Sequence, residues 1–184
     1  MKKRYLPLLM VLAVMLCGAF VSACDDDDSN KTNWELYADW RNKNTAWLEE
    51  QTAAKAPDGS PLYTVYSPRY NHSQFLMRFI NDTTITRNNL RPLYTSTATV
   101  NYAVYLYEGT RIDSNANYTS QLSSQGLIDG WSEIITRMHV GDTVEAILPY
   151  NLGYGAGGGT GTPPYSALRF NIRLTDVPYY EVRP

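Results

Sequence analysis

Hydrophobic and polar positions change their period several times along the chain. An apolar run from Leu6 to Val21 follows Lys2, Lys3 and Arg4 and ends in Val21-Ser22-Ala23-Cys24. At about sixteen residues the run is short for a bilayer span, and a basic start with small residues at the end predicts a cleavable secretory leader over residues 1–23. Asp25 to Asp28 follow, and four adjacent carboxylates repel one another and hold their water, so residues 24–33 read as a solvated acidic tether. From Trp34 to about Ala54 there is no Gly or Pro, and Tyr37, Trp40, Asn44, Trp47 and Leu48 recur at helical spacing. This predicts one amphipathic helix over residues 34–56, ended by Pro57-Asp58-Gly59-Ser60-Pro61. Its aromatic stripe either packs on its own domain or forms a docking face, the second option giving a homodimer through this helix.

Beyond Pro61 the period falls to two. Leu62 to Tyr66 and Gln74 to Ile80 are the first candidate strands, and residues 82–92 read as a loop. Val100, Tyr102, Val104 and Leu106 alternate with their neighbours between Thr99 and Tyr107, and Val144, Ala146 and Leu148 share one face of Thr143 to Leu148. Leu168, Phe170, Ile172 and Leu174 alternate with Arg169, Asn171 and Arg173 in a cleaner half-buried pattern. One short helix stands among them: Trp131, Ile134, Ile135 and Met138 keep helical spacing, and Gly141 stops it. The pattern is α+β, an antiparallel sheet covered by one short helix, with no internal repeat.

Composition narrows the class. The chain has 184 residues, 43% hydrophobic and 18% charged, with formal charge −2. Loss of the leader would remove three bases and no acid, leaving 13 bases against 18 acids, so a basic nucleic-acid surface is excluded. Two cysteines cannot make a disulfide framework, and an ordinary apolar fraction excludes a disordered chain. Val21-Ser22-Ala23-Cys24 resembles the lipobox of bacterial lipoproteins, which implies acylation of Cys24 and a membrane anchor through its lipid. An acidic cluster directly after such a cysteine resembles a signal that sends lipoproteins of some Gram-negative bacteria to the cell surface. Together these place the protein in the cell envelope, at the outer membrane or exposed at the surface.

Six stretches then occur in a characteristic order: Val100-Asn101-Tyr102, Glu108 to Ser114, Gly126 to Trp131, Met138 to Asp142, Pro149 to Gly155 and Pro163 to Phe170. They resemble the FKBP-type peptidyl-prolyl cis/trans isomerases over residues 100–177, with the strands from Leu62 onward extending the domain to residues 62–178. The resemblance implies a curved antiparallel β-sheet wrapped around one short helix, with proline-containing polypeptides bound between them. It implies catalytic roles for Tyr102, Asp113, Tyr154 and Trp131: Trp131 as the floor under the proline ring, Tyr154 bonding a substrate carbonyl, Asp113 orienting Tyr102. Ile112, Tyr118, Leu127, Ile128, Thr162 and Phe170 would contact substrate, with the Ile128 N–H holding the chain. No cofactor is implied. Ile112 stands where the family usually has phenylalanine, and Thr162 where it has a bulky aliphatic residue. The glycine-rich loop from Gly155 to Gly161 implies a mobile flap. Those departures keep open a catalytically weak chaperone or binding module, and the 15 tyrosines a surface glycan-binding lipoprotein.

Other signals fail on context. Gly153, Gly155 and Gly158 match G-x-G-x-x-G, but prolines flank the match on both sides, whereas a dinucleotide fingerprint opens a helix. His72 and His139 have no carboxylate or thiol at ligand spacing, so no metal site is expected.

Overall fold

The computed structural model describes residues 30–70, 72–159 and 161–179. The leader, Cys24 and the acidic run lie outside the described residues. The strands are β1 (Thr64–Tyr66), β2 (Phe75–Phe79), β3 (Thr97–Leu106), β4 (Arg111–Gln121), β5 (Thr143–Leu148) and β6 (Leu168–Asp176), all but β4 at the places the sequence pattern marked. They form one antiparallel sheet in the order β1-β2-β5-β6-β3-β4. On β6, Leu168, Phe170, Ile172 and Leu174 are buried while Asn171 and Arg173 face water, as alternation requires. Strand β4 gave no alternating signal, because it is an edge strand on which nearly every side chain is exposed or half-exposed.

The short helix α4 (Asp129–Ile135) covers the inner face of the sheet. It begins two residues before Trp131 because Asp129 is favoured in a first turn, where helix N–H groups carry partial positive charge. It ends before Met138, where the last bonds tighten to a three-residue spacing, Arg137 N–H to Ile134 O at 3.0 Å and Met138 N–H to Ile135 O at 3.1 Å. Trp131, Ile134, Ile135 and Met138 are still all buried, together with Val100, Val104, Phe170 and Ile172. The helix is capped at Thr136, five residues before the expected stop at Gly141. Gly141 instead turns the chain into β5 with a φ of 98° that suits glycine, and its N–H donates to Leu174 O at 2.8 Å.

The N-terminal segment is two helices, α1 (Asn33–Leu36) and α2 (Ala38–Ala53), separated at Tyr37 where φ and ψ are −104° and 22°. The aromatic stripe packs on its own domain. Trp47 and Leu48 lie against Tyr63, Leu76 and Ile147 on the outer face of β2 and β5, so that region of the sheet is covered on both sides. This explains why Ala146, Ile147 and Leu148 are all buried despite the alternation. The loop expected over residues 82–92 contains a one-turn helix, α3 (Thr83–Thr86), capped by Asp82, which accepts from the Thr84 N–H at 2.9 Å.

Candidate functional site

Antiparallel pairing puts residues that face each other across strands on the same side of the sheet. One such row runs Asp113, Val104, Phe170, Ala146 and Met77 across β4, β3, β6, β5 and β2. The next row holds Tyr102 and Ile172. Both lie under α4, whose first turn presents Trp131, 5% exposed, to the strands.

A third residue reaches the same place through an irregularity. Val100 faces Tyr118 and Asn101 faces Ala116, so Asn117 is an extra, bulged residue. Its φ is 86°, a left-handed conformation that asparagine tolerates, and its N–H donates to Asn101 Oδ1 at 3.0 Å. Without this bulge Asn117 would stand opposite Val100. With it, Tyr118 does.

Between strands and helix lies a cavity of ≈ 320 Å³ lined by Trp131, Tyr102, Tyr118 and Phe170, by Val104, Gly126, Leu127 and Ile128, and by Asp113 and Tyr154. The aromatic rings meet edge to face around Trp131: Tyr102 at 5.1 Å and 82°, Tyr118 at 5.8 Å and 76°, Phe170 at 6.1 Å and 66°. Such T-shaped pairs are favourable because the positive edge of one ring meets the negative face of another, so the walls brace the indole. Trp131 Nε1–H points to Ser120 Oγ at 3.4 Å.

The polar edge is small and ordered. Tyr102 donates its hydroxyl to Asp113 Oδ2 at 2.6 Å, and the other carboxylate oxygen accepts the Ser114 N–H at 2.7 Å. Burial and then the hydrogen bond to Asp113 push the Tyr102 phenol well above its usual range. Tyr154 is raised as well, by burial first and then by the negative field of Asp113 and the Tyr118 phenol. Both phenols therefore keep their protons as hydrogen-bond donors. The Ile128 N–H donates to no protein acceptor among the described residues, and its carbonyl accepts the Trp131 N–H at 3.0 Å.

Tyr154 follows a 3-10 turn at Tyr150–Leu152, and Gly155 closes that turn with an N–H to Tyr150 O bond of 2.8 Å. Gly159 and Thr162 exchange two backbone hydrogen bonds of 2.9 Å, and a side chain at Gly159 would put its Cβ 2.9 Å from the Tyr154 ring. Tyr154 therefore packs against bare backbone.

Of the ten residues singled out for this site in the sequence, the structure brings eight to the cavity. Ile112 packs against the core beside it rather than lining it. Thr162 is turned into the fold, 4% exposed, with its hydroxyl unpartnered among the described residues. Val104 and Gly126 line the cavity without having been singled out; the alternation that put Val104 on the face of Tyr102 was the available signal. Among the described residues no group of three or more His, Cys, Asp or Glu could hold a metal ion, and no helix is long and apolar enough to cross a membrane.

The family pattern described as FKBP-type peptidyl-prolyl cis-trans isomerase matches residues 90–175. FK506-binding protein 1 of Dictyostelium discoideum is 33% identical over 93 residues, covering 48% of this chain and 86% of that protein. The chain belongs to this isomerase family. The FKBP-type peptidyl-prolyl cis-trans isomerase FkpA of Escherichia coli is 34% identical over 88 residues, 47% of this chain, but the match spans only 33% of that relative's length. The crystal structure of Escherichia coli FkpA has the same fold, with a TM-score of 0.65 at 21% identity over 96% of this chain and 74% of that one. In FKBP terms, the family match takes in the whole aromatic cavity and leaves α1, α2, β1 and β2 outside it.

Proposed function

We propose that the protein catalyses cis/trans isomerisation of X-Pro bonds in exported or envelope proteins, by binding the twisted amide in the cavity under α4. The observation that carries this reading is the aromatic cavity itself: an apolar floor at Trp131, walls of Tyr102, Tyr118 and Phe170, and a single polar edge at Asp113 and Tyr154. Rotation about an X-Pro bond must break amide conjugation, a barrier of about 18–20 kcal/mol, and unassisted exchange takes tens of seconds. Moving exchange into the millisecond range requires about 5–6 kcal/mol of transition-state stabilisation.

The site supplies this without a nucleophile. An apolar slot disfavours the planar, polar amide relative to the twisted form of lower dipole. The flat indole of Trp131 accepts the flat proline ring, the Tyr154 hydroxyl donates to a carbonyl of the flanking chain, and the unpaired Ile128 N–H takes another. Asp113 holds Tyr102 by its hydroxyl, so the wall does not rotate away when a ligand enters. The leader and the lipobox at Cys24 support an envelope location through a lipid anchor. Residues 24–33 would then serve as the tether between that anchor and the folded unit.

Two-dimensional exchange NMR on a short X-Pro peptide tests the reading. Exchange faster than in buffer alone is expected. A second reading, a binding or chaperone module with a slow slot, is favoured by the positions of Ile112 and Thr162 outside the lining; exchange at the uncatalysed rate together with suppressed aggregation of an unfolded protein would select it.

A further inference from the structure

A second cavity adjoins the first. It has a volume of ≈ 210 Å³ and shares Leu127 and Ile128 with the aromatic slot. Its apolar surface comes from Leu122 and Leu152, both fully buried, and its walls from Tyr94 and from Pro68 and Tyr70 of the segment between β1 and β2. Tyr70 is 88% exposed, a large ring beside the cavity with none of the described residues packed over it. This space is smaller than the roughly 300–1,000 Å³ of small-molecule sites, so it suits one side chain of a longer ligand.

The polar part of the lining has one sign of charge. Asp129 and Glu133 contribute carboxylates, and among the described residues no Lys, Arg or His lines the cavity. Glu133 is already answered: it pairs with Arg137 at 2.6 Å and accepts the Arg69 N–H at 3.1 Å. Asp129 is exposed and makes no hydrogen bond or ion pair among the described residues. An occupant must therefore lay an apolar stem along leucines, pass between two tyrosine rings and bring a positive head to a carboxylate. Lysine and arginine are the side chains with that build, and a cation over a tyrosine face adds attraction.

We propose that this cavity is a second polypeptide subsite, which takes a lysine or arginine side chain two residues from the proline held in the slot. The proposal rests on the isomerase reading for the occupant of the first cavity. An extended chain advances about 3.3 Å per residue, and alternate side chains point the same way. A chain crossing the Leu127–Ile128 edge with its proline over Trp131 thus presents its second neighbour to the adjoining cavity. Pro68 and Tyr70 lie outside residues 90–175, so one wall of this cavity comes from beyond the family match, while Asp129, Tyr94, Leu122 and Leu152 lie within it.

The test is calorimetric titration of the purified full chain with hexapeptides carrying Lys, Leu or Glu two residues before or two residues after a single proline. At one of the two positions the Lys peptide is expected to bind about three- to tenfold more tightly than the Glu and Leu peptides at low salt. In Asp129→Asn and in Tyr70→Ala, the Lys to Leu affinity ratio is expected to fall toward one, each variant being its own reference. Equal affinities at both positions, a preference for Leu, or an unchanged ratio in both variants would overturn the subsite. Exchange rates on the same peptides separate the two readings. Lost exchange with a retained Lys preference contradicts the isomerase and leaves the subsite standing; rapid exchange with no preference does the reverse.

Discussion

Asn44 in helix α2 accepts the Ala167 N–H at 2.8 Å, across 123 positions of sequence. The same side chain, 2% exposed, donates to Trp40 O at 2.8 Å, and Trp40 Nε1–H donates to Ser166 Oγ at 2.9 Å. Ser166 in turn donates to Pro163 O at 2.7 Å. The helix is thereby fastened to the start of β6, three residues before Phe170 in the slot. Asn44→Ala would leave the buried Ala167 N–H without its partner, while Trp40 O keeps its bond within the helix, a loss of about 1–2 kcal/mol. Urea denaturation measures it, and a change below about 0.5 kcal/mol would mean that the fastening contributes nothing.

Thr162 predicts the opposite sign. Its hydroxyl is buried without a partner among the described residues, and an unmet buried hydroxyl is destabilising by about 1–3 kcal/mol. Thr162→Val keeps the shape and removes the oxygen. The variant is expected to gain about 1 kcal/mol and to melt about 2–4 °C higher in calorimetry; an unchanged or lower midpoint would show that the hydroxyl is satisfied in solution.

Tyr63 links stability to alkaline pH. It donates to Glu145 Oε1 at 2.6 Å, and burial, then this bond and the Glu145 charge, push its phenol up to about 12. Because the folded state holds this proton more tightly than the unfolded chain, the contribution is complete below about pH 10 and is lost as pH rises toward about 12. The urea midpoint of the parent should therefore fall more steeply over that window than that of Tyr63→Phe. Parallel curves would remove the linkage.

Gly130 sits where α4 crosses β5. A Cβ there would clash with the Leu148 side chain, which is fully buried, so that side chain would have to shift within the core. Gly130→Ala is expected to destabilise by about 1–3 kcal/mol despite the better helix propensity of alanine. A stabilised variant would mean that helix and sheet are not in close contact.

These cases show which parts of the molecule were legible from sequence. Leu168 to Leu174 announced β6 because one face is buried and the other is wet. The slot was legible because its motifs keep the order of a known family, and because slot and core are one surface around Trp131. Strand β4 was not, since on this edge strand no side chain is fully buried and the bulge at Asn117 breaks the alternation. Tyr118 could be named but not aimed, because its direction depends on the bulge at Asn117, a matter of pairing between strands. Trp40 and Asn44 gave the helix its stripe, yet their partners Ser166 and Ala167 are brought near only by the completed sheet. Thr162 was placed by its neighbours Pro163 and Pro164, while the turn with Gly159 directs its side chain inward.

The proposed activity is acceleration of X-Pro exchange by the slot around Trp131. It is tested most directly by exchange NMR on one short X-Pro peptide with the parent protein and with Trp131→Phe, whose folding is checked by circular dichroism. The parent should raise the exchange rate well above that of peptide in buffer, and the folded variant should lose about three- to tenfold of that gain, the scale of one aromatic contact. A parent that leaves the rate unchanged, or a folded Trp131→Phe as fast as the parent, would contradict the account.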